Sequence, residues 1–159
     1  MEKINSIDVD EMEVVHDIEN EFGIKLDIFY EDEFGSWDNY IDFVNNKKVN
    51  PHILITEKHV TALNLVGCNL KEIPQQVLKF QQLKELNLWN NDIEEIAKFL
   101  TLAQNLENLY LGRNYVRLIP EWIEEIPKLK YLELCYDTFN ENKKFENIYK
   151  IGNISLNIT

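Results

Sequence analysis

Four consecutive segments begin at Val60, Leu83, Leu106 and Leu129, at a constant spacing of 23 residues. They read VTALNLVGCNLKEIPQQVLKFQQ, LKELNLWNNDIEEIAKFLTLAQN, LENLYLGRNYVRLIPEWIEEIPK and LKYLELCYDTFNENKKFENIYK. In the first segment, positions 1, 4, 6, 11, 14, 18 and 21 are Val60, Leu63, Leu65, Leu70, Ile73, Val77 and Phe80. All 21 such positions in the first three segments are apolar. At 45% hydrophobic content, chance achieves this on the order of once in 10⁶ sequences, even allowing any of 23 phases. One repeat cannot bury such a stripe alone, so the repeats must stack on one another around a shared core.

The motif dictates its own local structure. Its LxL centre reads as a short strand, with positions 4 and 6 facing inward and position 5 outward. The backbone then turns sharply, and the buried amides of that turn need partners. Position 9 offers Asn91 and Asn114, with Cys68 in the first segment and Asp137 in the fourth. Pro74 and Pro120 stiffen the descent to short helical turns on the far side, within QQVLKF, KFLTLA and EWIEEI. The pattern LxxLxLxxNxL resembles the leucine-rich repeat. That resemblance implies an α/β fold: a solenoid with a parallel concave β-sheet and helical turns outside. It also implies a concave face used for binding proteins; no catalytic residue and no cofactor is expected.

The repeat region is expected to span 60–159, divided as 60–82, 83–105, 106–128 and 129–150, with a final strand over 151–158. The fourth repeat departs from the pattern, since Asn142 and Glu146 fall where apolar residues are expected. Phe145, Ile148 and Tyr149 suit one face of a short helix there. In the final strand Ile151, Ile154 and Leu156 take positions 1, 4 and 6.

Residues 1–59 are expected to cap the open front of the stack with helices and a hairpin strand. A helix over 10–23 has Asp10 as N-cap and Gly23 as stop, with Val15, Ile18 and Phe22 on one face. A second helix runs from Trp37 to Val44, where Trp37, Tyr40, Ile41 and Val44 share a face. HILI and HVTALNL flank Thr56-Glu57-Lys58 as a hairpin. DIENEFGIKL and ITEKHVTALNLVGCNL resemble the openings of some bacterial leucine-rich repeat proteins.

Charge narrows the function. The chain of 159 residues holds 28 acids against 16 bases, a net of −12. Residues 1–50 carry 14 of those acids and 4 of the bases. Such a chain lacks the clustered cations that nucleic acid or an anionic membrane requires. It attracts a basic protein instead. The start is acidic and without an apolar stretch, and no apolar run reaches membrane-spanning length, so a cytoplasmic location is the expectation.

Outward strand positions supply the candidate protein-binding residues: Glu85, Asn87, Trp89, Tyr110, Arg113, Tyr131, Glu133 and Tyr136. Trp, Tyr and Arg dominate binding hot spots. Enzyme chemistry finds little support. His16, His52 and His59 lack metal-ligand spacing, and His59 reads as an exposed strand residue. Cys135-Tyr136-Asp137 matches the CxD triplet of bacterial leucine-rich-repeat ubiquitin ligases, but repeat positions 7 and 9 already account for Cys135 and Asp137. The leading reading is a non-catalytic module that binds an unidentified, basic protein on its concave face. The alternatives are an acidic inhibitor or immunity-type protein that blocks a basic partner through residues 1–50, and a bacterial effector.

Overall fold

The computed structural model describes residues 8–46, 49–134 and 154–158. Its backbone is one seven-stranded sheet whose spatial order follows the chain. Strands β3 (His59–Asn64), β4 (Glu85–Asn87), β5 (Asn108–Leu111), β6 (Tyr131–Leu134) and β7 (Ser155–Ile158) run parallel. In front of them β2 (His52–Thr56) pairs antiparallel with β3, and β1 (Asp27–Tyr30) pairs parallel with β2.

The periodic spine packs as its spacing demands. Of the inward positions in the first three repeats, every residue is buried except Ala103, which is half-buried. Leu63, Leu86, Leu109 and Leu132 stand in one row across the sheet. The return segments are 3₁₀ turns at Gln75–Lys79, Lys98–Leu102 and Glu121–Glu125, entered from Pro74, Ala97 and Pro120.

Asparagine closes the turn after β4 and after β5. The Asn91 amide donates to the carbonyls of Leu65 and Leu88, and its Oδ1 accepts the Leu70 N–H at 3.0 Å. Asn114 repeats the arrangement one level on, donating to Leu88 and Leu111 and accepting from Ile93. Both side chains are buried and meet at the Leu88 carbonyl, so each joins two repeats. Cys68 holds the corresponding place in the first repeat, where its thiol reaches only the Val66 carbonyl at 3.8 Å.

The front is capped on both faces of the sheet. Helix α1 (Val9–Phe22) lies on the spine side, where Val14, Val15 and Ile18 are buried and Phe22 packs alongside. Its N-cap is Asp8, not Asp10: the Asp8 carboxylate reaches the Asp10 amide at 2.9 Å, so the helix starts earlier than expected. Gly23 ends it in the left-handed region at φ 62°, as expected. Glu11 is buried and accepts the Val60 N–H at 2.7 Å, with His59 Nδ1 3.3 Å away. His59 is accordingly half-buried rather than exposed. The hairpin turns through Glu57 and Lys58, both at positive φ, as a two-residue connection requires.

Helices α2 (Glu31–Phe34) and α3 (Trp37–Asn46) lie on the opposite face. There Tyr40 is completely buried against Leu54 and Ala62, and Phe29, Phe34, Trp37, Ile41 and Val44 pack around them. The Tyr40 hydroxyl donates to His52 Nε2 at 2.9 Å, while His52 Nδ1 donates to the Asn50 carbonyl at 2.8 Å. Burial pushes the imidazole pKa down, so this histidine stays neutral within an aromatic cluster. Neither β1 nor this second layer was expected.

The final strand also differs from expectation. Leu156 pairs with Leu132 and Ile158 with Leu134, two residues beyond the register that placed Ile154 and Leu156 there. Side chains alternate with a period of two, so an even shift keeps the same faces and the hydrophobic pattern cannot detect it. The helix expected around Phe145, Ile148 and Tyr149 lies outside the described residues.

Replacing Asn114 by Ala takes that partner from the buried Ile93 amide and Leu111 carbonyl, while the Leu88 carbonyl keeps its bond from Asn91. Stability is expected to fall by about 2 kcal/mol or more. Chemical denaturation of the variant beside the parent measures it, and an unchanged midpoint would refute the ladder's role.

Candidate functional site

The face of β4–β6 opposite the spine forms one side of a groove of about 750 Å³. Its other side is α3 and the segment after it, through Ile41, Val44 and Val49. The layer that caps the front of the sheet therefore also walls the groove.

The strands supply the groove's polar and aromatic lining in register. Glu85, Asn108, Tyr131 and Ser155 form one row, and Asn87, Tyr110, Glu133 and Asn157 the next. Tyr110 and Tyr131 sit with ring centroids 5.4 Å apart. The shifted register of β7 brings Asn157, not Ser155, beside Glu133, and its amide donates to the Tyr131 hydroxyl at 3.0 Å. That hydroxyl donates in turn to Glu133 Oε2 at 3.4 Å.

Trp89 is held by its neighbours. A Cβ at position 112 would lie 2.4 Å from the Trp89 ring and 2.8 Å from Glu133 Oε1, so Gly112 is what lets the indole lie close to the β5 backbone. The Arg113 guanidinium stacks 4.7 Å from the indole centroid. Position 8 of each described repeat is left-handed: Gly67 at φ 69°, Asn90 at 58° and Arg113 at 51°. Gly and Asn tolerate that conformation, whereas an arginine there carries strain of about 1–2 kcal/mol. The turn aims the arginine at the indole, and the cation–π contact returns about 0.5–1 kcal/mol.

Several expected residues thus come together: Asn87, Trp89, Tyr110, Tyr131 and Glu133 line the groove half-buried, and exposed Arg113 stands beside Trp89. Asn87 also has a structural task, since its Oδ1 accepts the Trp89 N–H at 3.0 Å and shapes the strand exit. Tyr136 falls outside the described residues, as do Cys135 and Asp137.

Glu85 corrects the expectation of an exposed acid. Its side chain lies beside Ala62 and Asn108, and the residue is only 4% exposed. Burial raises its pKa to about 7, a rise only partly opposed by a hydrogen bond from the Asn108 side chain. Its Oε2 has no hydrogen-bond partner. Burial and the Glu85 charge both raise the pKa values of the Tyr40 and Tyr110 hydroxyls. Glu133 shifts upward too, because burial outweighs its bond from Tyr131.

The alternation rule found the outward strand positions but missed Ile41, Val44 and Val49. The available signal was the apolar face shared by Trp37, Tyr40, Ile41 and Val44. Among the described residues there is no group of three or more metal-ligating side chains, and no helix is long and apolar enough to cross a membrane.

Residues 81–138 match the family model described as Leucine rich repeat. A search of curated proteins found no match to the chain.

The raised Glu85 pKa fixes the sign of a pH effect. Between about pH 4.5 and 7 the folded state holds a proton there that the unfolded state releases, so this group's contribution to stability declines as pH rises. Glu85→Gln removes the penalty. Its gain over the parent is expected on the order of 2 kcal/mol at pH 8, shrinking toward zero near pH 4.5. Denaturant titrations across that range measure it; a constant or negative difference would be incompatible with a buried, unpartnered carboxyl.

Proposed function

We propose, from the premise that the chain is a leucine-rich repeat protein, that it is a non-catalytic module binding a protein partner in the groove between α3 and strands β4–β6. The family is typically non-enzymatic and suggests protein–protein interaction. The observation that carries the assignment to this surface is its cluster of half-buried aromatics, Trp89, Tyr110 and Tyr131, which face the groove rather than the spine. Rigid aromatic faces give large contact area at small entropic cost, and a single truncation in such a centre costs about 2 kcal/mol or more of binding.

The acidic N-terminal region contributes by geometry and by field. Through α3 it walls the groove, and its excess negative charge steers a basic partner toward it. Glu11 and Glu19 are engaged in internal hydrogen bonds, to Val60 and Leu26, and so belong to the fold rather than to that field. Steering of this kind acts on the association rate and weakens with salt.

Trp89→Ala combined with Tyr110→Ala tests the assignment. Affinity capture from cell lysate, quantified by mass spectrometry, is expected to enrich a protein with the parent and not with the double variant, while circular dichroism shows the same fold in both. Equal capture by the two would reject the groove as the binding surface.

A further inference from the structure

Among the described residues lining the groove are two carboxylates, Glu85 and Glu133, and no lysine or arginine. Glu85 is the unusual one. It is 4% exposed, forms part of the groove lining, and carries an oxygen with no partner. A buried carboxylate without compensation is unfavourable, and a cation delivered to it recovers that loss on binding. Among the described residues no cation supplies that compensation, which leaves it to a ligand.

The geometry selects among cations. Asn108 already bonds the carboxyl, leaving the buried Oε2 as its one oxygen without a hydrogen-bond partner. One unpartnered oxygen suits the point charge of an ammonium, whereas a guanidinium fork needs two. The Tyr110 and Tyr131 rings offer faces to a cation and to its methylene stem, and Ile41 and Val44 offer an apolar wall opposite. The face of Trp89 is already occupied by Arg113. From these features we infer that the groove seats a lysine side chain of the partner protein, its ammonium on Glu85 and its stem along Tyr110 and the α3 wall. This rests on the docking role proposed above and gives it a chemical specificity.

The binding is coupled to protons. Burial holds the Glu85 carboxyl near pH 7, so an ammonium binds best where that group is ionised. Among the described residues the titratable groups around it are Tyr40 from α3, Tyr110 from β5, and Tyr131 and Glu133 from β6, with Arg113 beside Trp89. The tyrosines keep their protons between pH 6 and 8, which leaves Glu133 as the group to be controlled for.

The experiment uses the immobilised full chain and four pools of short peptides. Each pool has Lys, Arg, norleucine or Glu fixed at the centre and random residues other than Lys and Arg elsewhere. At pH 8 the lysine pool is expected to be retained about tenfold more strongly than the norleucine pool. Glu85→Gln should erase that excess, and Trp89→Ala should weaken retention of every pool. Between pH 8 and 6 the excess should shrink for the parent and for Glu133→Gln, and be absent throughout for Glu85→Gln. Equal retention of lysine and norleucine, lost in Trp89→Ala, would overturn the lysine inference and leave the docking role standing. Preference for the arginine pool, or a lysine excess that survives Glu85→Gln, would overturn it likewise. Retention indifferent to Trp89→Ala, or no retention of any pool, would overturn both.

Discussion

Asn91 and Asn114 each join one repeat to the next, and the way the chain leaves β4 and β5 depends on those bonds. Apolar burial stacks the coils, because Leu63, Leu86, Leu109 and Leu132 have nowhere else to go. Burial is non-directional, however, and does not determine how a chain leaves its strand. Asn91 and Asn114 do, by making four backbone hydrogen bonds each within the turn and to the preceding repeat. With the strand exits set, positions 3, 5 and 7 of successive repeats line up on the opposite face. The groove residues are neighbours in space because their turns are equivalent, although they lie a full repeat apart in sequence.

The opposite face is where the molecule departs from simple repetition. Position 7 is Val66, then Trp89, then Gly112, and the missing side chain of the third makes room for the indole of the second. Position 8 holds Gly67, Asn90 and Arg113 in one left-handed conformation. Two of those residues suit it, and the third is held there with its guanidinium over Trp89. Glu85 is buried at position 3 with an oxygen left unbonded. Strain and an unsatisfied buried polar atom thus occur on the same surface, while the spine beneath is regular. Such departures from local consistency are expected to gather at functional sites.

The spine was legible because twenty-three-residue spacing tests many positions together, and a wrong phase would expose polar residues throughout. The front was legible where a local signal exists: Gly23 as a helix stop, and the two-residue turn between His52–Thr56 and His59–Asn64. β1 was not, because Asp27–Tyr30 pairs with a strand about 25 residues away and its DIFY sequence has no turn or alternation to mark it. The position of α3 was invisible for a similar reason. Its apolar face shows that it must pack, but only the tertiary fold decides which side of the sheet receives Tyr40. Glu85 looked exposed because it faces away from the spine, and that error follows directly from not knowing where α3 lies. The register of β7 escaped because a shift of two preserves the alternation of faces.

The proposed docking face is the one carrying Trp89, Tyr110 and Tyr131, walled by α3. Hydroxyl-radical footprinting with and without a captured partner tests it most directly, because aromatic residues lie on several sides of the molecule. Modification of Trp89, Tyr110 and Tyr131 is expected to fall when the partner binds. Tyr115, outside the groove, and Trp122, on a 3₁₀ turn of the far side, are expected to react as before. Protection of Tyr115 and Trp122, with the three groove aromatics unchanged, would contradict the account.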